Sequence, residues 1–310
     1  MGYNCSIPAA PLIGSARIFY TASCTILIIA SFALQAIFAA TCQRMKGWKS
    51  DFAFYLLQIM ALFSLLSYAG LFISYMHGLI LFDSPLLSKL TGANYQGSYF
   101  CFIITNSLLT AHRLIYTLFP LRAQNLLSAT FEKVCISSIF AFYFVYFIIT
   151  MTPLASVVFC EAHFFFYFER RPLYPLMSMM NQVSNYMVGV VNVVAYFIMF
   201  TVLFIKGTLT FKKNSEIRMT IQAAVVSVFE LTFFLYWEYG PSSALPQFWM
   251  RTLNSYSMLI YYDVLILPYV VLNKTVKTEM KGIFHGRSSI AAPIVKFSSD
   301  HGKAFQRRSL

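Results

Sequence analysis

Apolar runs of about 20 residues, the length a helix needs to cross a hydrocarbon layer, recur along this chain and leave it little choice of fold. Seven are long enough: Ala16–Ala40, Phe52–Met76, Tyr95–Phe119, Val134–Phe159, Leu176–Ile205, Ile217–Tyr239 and Phe248–Leu272. Charged residues make up only 11% of the 310 and hydrophobic ones 58%, against roughly 25% and 45–50% in soluble proteins. The expectation is an all-α membrane protein, a seven-transmembrane helix bundle in one domain. The third run is the weakest, because Asn106 and Thr110 interrupt it.

Charge sets the orientation and keeps the third run as a span. With the N-terminus outside, only Arg17, Lys89, Arg170, Arg171 and Arg251 of the 23 Lys and Arg fall on the outer side. The rest crowd the inner segments and the tail, and Lys/Arg excess marks the cytoplasmic face. Dropping the third span would move Lys206, Lys212, Lys213 and Arg218 outside. The reading is N-terminus out and C-terminus in, with an outer segment 1–15, a membrane domain 16–272, an interfacial helix 273–285 and a disordered tail 286–310. The net charge of +12 then reflects attraction to an anionic inner leaflet, at about 1 kcal/mol per basic residue, rather than to nucleic acid.

Of six cysteines, only Cys5 and Cys160 fall outside on this topology, so either they form a disulfide or both are thiols. Asn4-Cys5-Ser6 fits a glycosylation sequon. Met1-Gly2 with Ser6 also fits a loose myristoylation pattern, but that modification needs the opposite side of the membrane. Before its first apolar run the N-terminus lacks the positive charge of a cleaved signal peptide.

Polar residues inside the spans are candidate functional groups, because each must turn inward to find a partner. Asn181, Asn185 and Asn192 recur at helical spacings and share one face; they glue helices or line a pocket. Glu230 and Asp263 lie roughly 20 Å and 15 Å from the inner ends of their spans, at 1.5 Å per residue. At similar depth on adjacent helices, they are expected to share one proton as a switch. The loop after the fourth span, Phe164–Phe168, is read as an aromatic lid. Glu161 and His163 beside it are too few for a metal site, and no metal or cofactor is expected. His77 reads as an interfacial side chain at the outer end of the second span. Pro268 kinks the seventh span, and beyond it Val276, Met280, Ile283 and Phe284 oppose Lys274, Lys277 and Lys281, the pattern of an amphipathic helix on the membrane surface.

The inner end of the third run carries His112-Arg113 and, seven residues after the arginine, Pro120, preceded by Leu118-Phe119. Together with Glu216-Ile217-Arg218, Leu267-Pro268-Tyr269 and the basic helix that follows, these residues make positions 16 to about 285 resemble a G-protein-coupled receptor, in detail the nematode serpentine chemoreceptors. His112 stands where that superfamily carries an acid and Leu114 where it carries a tyrosine. The second span lacks the family's sodium-binding aspartate. The resemblance implies a receptor in the plasma membrane, including that of a sensory cilium, for a small ligand. It also implies a heterotrimeric G protein at an inner face made of Arg113, Leu118, Pro120, Lys212, Lys213 and Arg218. The ligand is expected among the third, fifth, sixth and seventh spans, with Asn181, Asn185 and Trp237 as walls and Phe165 and Tyr167 in the roof. Pro268 and Tyr269 join Glu230 and Asp263 as switch residues. A carrier of a small solute is the alternative, although no paired Gly/Pro-broken helices of the transporter kind are present, and no clustered nucleophile or ligand set points to an enzyme.

Overall fold

The computed structural model describes residues 14–44, 52–80, 84–119, 122–161, 164–205, 214–240 and 247–285. Helices α1 (Gly14–Arg44), α2 (Phe52–Ile80) and α3 (Pro85–Leu118) are followed by the short α4 (Ala123–Leu126) and by α5 (Ala129–Met151). A hairpin, β1 (Val157–Cys160) and β2 (Phe165–Phe168), precedes a long helix made of α6 (Tyr174–Tyr186), a π segment (Met187–Val191) and α7 (Asn192–Ile205). Then come α8 (Asn214–Tyr239), α9 (Gln247–Leu272) and α10 (Lys274–Phe284). Among the described residues five stretches are long and apolar enough to cross a membrane: Gly14–Arg44, Phe52–Ile80, Ala129–Met151, Tyr174–Ile205 and Thr252–Leu272. The chain is a helical, multi-pass membrane protein.

Helices α3 and α8 are long but fall short of that apolarity, and for α3 packing supplies the reason. This helix touches α2, α5, α6, the π segment, α7 and β1, so it is enclosed by protein. Its buried residues include Ser88, Thr91, Gln96, Ser98, Thr105, Asn106 and Thr110. A helix surrounded by other helices meets little lipid, and its polar groups find partners among its neighbours. Outward, α5 shows Phe144, Val145 and Ile148 on its free face.

Aromatic rings fill the space between α2, α3 and α9. Phe102 meets Tyr262 edge to face at 4.8 Å, and Tyr68 meets Tyr262 at 5.6 Å. Neither hydroxyl is wasted: Tyr68 donates to the Leu259 carbonyl and Tyr262 pairs with Ser67 at 2.9 Å. Asn94 joins three helices, donating to the Leu66 carbonyl on α2 at 2.7 Å and accepting from Tyr143 on α5 at 2.7 Å.

Two helix ends differ from the sequence expectation. The fourth apolar run continues to Phe159, yet α5 stops at Met151. Pro153 is the cause: it disfavours the helical conformation in the residue before it, and Thr152 is extended at φ −82°, ψ 170°. Lys89 then donates to the orphaned carbonyls of Met151 and Thr152, both at 3.1 Å, as a cation at a helix C-terminus should. The third helix begins ten residues early, at Pro85 rather than Tyr95. Ser84 caps it, accepting from the Leu87 N–H at 3.4 Å, and Pro85 occupies the first turn, where its missing N–H costs nothing. The interfacial helix forms over Lys274–Phe284, capped by Asn273. Its apolar side turns inward, with Val276 buried while Lys277 and Lys281 stay exposed. Segment 286–310 lies outside the described residues.

The early start of α3 builds the seat of the hairpin. Ser88 both accepts from the Phe159 N–H at 2.8 Å and donates to the Phe159 carbonyl at 3.1 Å, so it satisfies the outer edge of β1. Gly92 lets the backbones meet, since a Cβ there would lie 2.2 Å from the Val157 carbonyl oxygen. Overpacking of this kind costs roughly 1–3 kcal/mol. Gly92→Ala should therefore lower the melting temperature in detergent, whereas Gly282→Ala, where a Cβ meets nothing within 4 Å and alanine is the better helix former, should not lower it.

Candidate functional site

One stripe of α3 carries Gln96, Tyr99, Asn106, Thr110 and Arg113, at spacings of three, seven, four and three, which keep residues on one helical face. Each meets a partner across the bundle. Gln96 donates to Asn181 at 3.1 Å. Tyr99 donates to the Asn185 carbonyl oxygen at 3.0 Å, and the Asn185 amide donates in turn to Glu238 at 2.7 Å. Asn106 donates to Glu230 Oε1, as does Asn192 at 2.9 Å. Thr110 donates to the Tyr196 hydroxyl at 3.3 Å. At the α10 end, Arg113 donates to the Tyr269 hydroxyl, its guanidinium 5.1 Å from the centre of that ring. The result is a ladder of polar contacts from the hairpin end of the bundle to Arg113.

The opposing rungs come from three helices: the long helix, α8 and, through Tyr269, α9. Asn181, Asn185, Asn192 and Tyr196 share a face of the long helix, as the spacing of the asparagines predicts, and here they act as glue. Between Asn185 and Asn192 lies the π segment, whose Gly189 is pressed by Phe234 of α8: a Cβ would fall 1.9 Å from Phe234 Cγ. Glu230, Phe234 and Glu238 are four residues apart and so occupy one face of α8. The close approach at Gly189 brings both carboxylates to the long helix.

Glu230 and Asp263 are separated rather than paired. The Glu230 carboxyl turns to Asn106 and Asn192, and its Oε2 has no hydrogen-bond partner. Asp263 accepts from Gln35 of α1 at 3.0 Å. Similar depth was not enough, because the two side chains leave their helices in different directions. Trp237 donates to Ser257 of α9 at 3.1 Å and joins a ring cluster with Tyr261 (5.0 Å), Phe233 (5.5 Å) and Tyr99 (6.4 Å).

The hairpin covers one end of the bundle as the aromatic lid predicts, but different residues face inward. Side chains alternate along a strand. Phe166 stacks on Tyr95 at 4.5 Å and Phe168 packs beside it on the core, whereas Phe165 and Tyr167 lie together on the other face, 6.1 Å apart. They are therefore not the roof of an internal cavity. Partial burial, then the Glu169 carboxylate, push the Tyr167 phenol above its ordinary range. At the turn, Phe164 holds φ at 54° and plugs the gap between Tyr20 (5.5 Å) and Tyr75 (5.5 Å). Arg17 lies over its ring at 4.7 Å and donates to the Gly78 carbonyl and, at 3.0 Å, to that of Glu161. His77 is buried here rather than interfacial, its Nδ1 3.1 Å from Glu161 Oε1. His163 lies outside the described residues.

Cys160 is disulfide-bonded, while Cys24, Cys42, Cys101 and Cys135 are free. The expected partner Cys5, the sequon at Asn4, and Pro120, Lys212 and Lys213 lie outside the described residues. Arg218 falls in the early turns of α8, its side chain also outside the described set, and Leu118 is the last residue of α3. Pro268 is buried within α9. A cavity of about 430 Å³ opens between α1 and α2, lined by Ile28, Phe32, Tyr68 and Phe72, and one of about 360 Å³ lies along α5 near Lys133. Neither is bordered by Asn181, Asn185 or Trp237. Sequence reading missed Glu238, although its spacing from Glu230 and Phe234 was the available signal, and missed Gln96 and Tyr99, which needed the third helix to be recognised as central.

The chain matches no protein-family model and no curated protein. What fold and site define is a class: a multi-pass helical membrane protein whose central helix is bonded to its neighbours from end to end.

Hydrogen bonds between membrane helices are worth about 0.6 kcal/mol on average and up to about 1.7. A double-mutant cycle of Tyr99→Phe and Asn185→Leu, read by unfolding in mixed micelles, should return a coupling in that range. Strict additivity would show that this rung contributes nothing.

Proposed function

We propose that the chain is a G-protein-coupled receptor of the serpentine chemoreceptor kind. In this reading seven helices cross the plasma membrane, the hairpin end faces outward, and a G protein docks at the end carrying Arg113 and α10. The observation that carries it is the Arg113–Tyr269 contact. Two residues chosen separately from the sequence, one as the coupling arginine and one as a switch in Leu267-Pro268-Tyr269, bind each other at one end of the ladder. A contact between the ends of α3 and α9 is well placed to hold a resting state and to release when the helices shift.

Three further features support the reading. At 34 and 26 residues, α3 and α8 exceed the roughly 20 that a span needs, and α3 has a packing reason to be polar. Disulfides persist in oxidising compartments, so the bonded Cys160 favours an outward hairpin, with Cys5 proposed as its partner. The basic, amphipathic α10 suits an anionic inner leaflet.

Arg113→Ala should abolish ligand-evoked G-protein activation in transfected cells while surface expression stays near normal; full signalling in that variant overturns the coupling assignment. The ligand is placed beside Asn181, Asn185 and Trp237, where the rings of Tyr99, Phe233 and Tyr261 suit a small, mostly apolar molecule held by a few polar groups. For any odorant that a screen finds active, alanine at all three positions should shift the dose–response at least tenfold, about 1.4 kcal/mol. An unmoved curve would place the ligand elsewhere, and flux of the compound into vesicles without G-protein activation would favour a carrier.

A further inference from the structure

Glu230 is completely buried, and its two oxygens are treated unequally. Oε1 accepts two N–H bonds, from Asn106 and Asn192, while Oε2 accepts none. The partner amide has the same asymmetry, because Asn192 donates through Nδ2 and its own buried Oδ1 is unpartnered. Turning that amide over would set oxygen against oxygen at Oε1, so the orientation is fixed by the bond it makes. Two groups already joined by one N–H···O bond thus have one orphaned acceptor each. Two acceptors cannot bond to each other, and a buried polar atom left unpaired is costly. A single proton removes both deficits.

We propose that Glu230 is a proton-binding site, holding a proton on Oε2 that it donates to Asn192 Oδ1. The carboxylic acid and the carboxamide then close a two-bonded ring that ties α8 to α7, with Asn106 of α3 bonded to the same carbonyl-type oxygen. Charge argues the same way. An ionised carboxylate at membrane depth is expensive unless paired, and the cation that acts on Glu230 is Arg113 of α3, whose guanidinium is engaged by Tyr269. The other titratable groups facing it are the phenols of Tyr196 on α7 and of Tyr261 and Tyr269 on α9, all neutral near pH 7 with ordinary values near 10. A proton needs only two oxygens, and the site offers two. Sodium, the competing monovalent cation, would require more oxygens than these two. Separating α8 from α7 opens the ring and frees the proton, so this contact senses both helix position and pH. The inference depends on the helix packing and not on the receptor reading.

The test uses the full-length protein in lipid nanodiscs at pH 7, where exposed carboxyls, with ordinary values near 4, are ionised. Infrared spectra should contain the C=O band of a protonated carboxylic acid that persists in Asp263→Asn and vanishes in Glu230→Gln. Glutamine keeps a carbonyl acceptor and puts an N–H where the neutral acid has its O–H, so this variant should fold. In wild type the unfolding constant should rise by up to tenfold per pH unit from the unfolded glutamate's ordinary value near 4 up to the pH at which the native state gives up its proton, because over that window the native state holds one proton more than the unfolded chain. In Glu230→Gln that component should be absent. Should the variant not fold, Asn192→Leu decides: without Oδ1 the acid O–H is unbonded, and the band should move to higher frequency. No acid band assignable to Glu230, an unmoved band in Asn192→Leu, or stabilisation by sodium over choline at fixed ionic strength that disappears in Glu230→Gln would each overturn the proposal.

Discussion

Without water in the hydrocarbon, every polar atom that enters it must be answered from within the protein. The structure depends on how α3 meets that demand. Gln96, Tyr99, Asn106, Thr110 and Arg113 form one stripe, and each contacts a polar group on the long helix Tyr174–Ile205, α8 or α9. These bonds are individually small, yet they are directional where apolar packing is not. They fix the rotation of α3 about its own axis, and with it which helices become its neighbours. The aromatic layer between α2, α3 and α9 then fills the volume that this orientation leaves, with the hydroxyls of Tyr68 and Tyr262 also satisfied.

The same helix organises the capped end. Because α3 starts at Pro85, its first turns extend past the point where α5 stops. Ser88 closes the edge of β1, Lys89 neutralises the end of α5, and Gly92 admits the strand backbone. An apolar run that Pro153 prevents from remaining helical is thereby folded back as a hairpin. Phe164 and Phe166 are driven into the gaps between helix ends, and the buried Arg17 and His77 are gathered beneath with the half-buried Glu161.

Much of this was legible in the sequence, and the failures have particular causes. Helix identities and most ends follow from apolar length, and the interfacial helix from its opposed stripes. Ser84-Pro85 and Thr152-Pro153 carried correct local signals that run length overrode, since hydrophobicity at 154–159 serves a buried strand as well as a span. The face shared by Asn181, Asn185 and Asn192 could be read from spacing, but their partners could not, because pairing across helices depends on rotation. That is also why Glu230 and Asp263 were joined wrongly: rise per residue gives depth, whereas the direction in which a side chain leaves its helix depends on packing. Phe165 and Tyr167 failed by parity, one residue along a strand being the difference between facing the bundle and facing away.

The π segment at Met187–Val191 makes the two halves of its helix differ in angular phase. Each residue of an ordinary helix advances the chain by about 100°, so a π turn absorbs what amounts to an inserted residue without breaking the rod. Asn181 and Asn185 stand before it and Asn192 and Tyr196 after it, and all four bond to another helix. Because the bulge takes up one residue, chain length and side-chain direction are uncoupled here: removing one residue within it would return the segment to regular winding while both halves kept their faces, whereas removing one elsewhere in the helix would turn every later side chain by about 100°. This stretch is therefore where the helix can change length without losing the polar partners of either half.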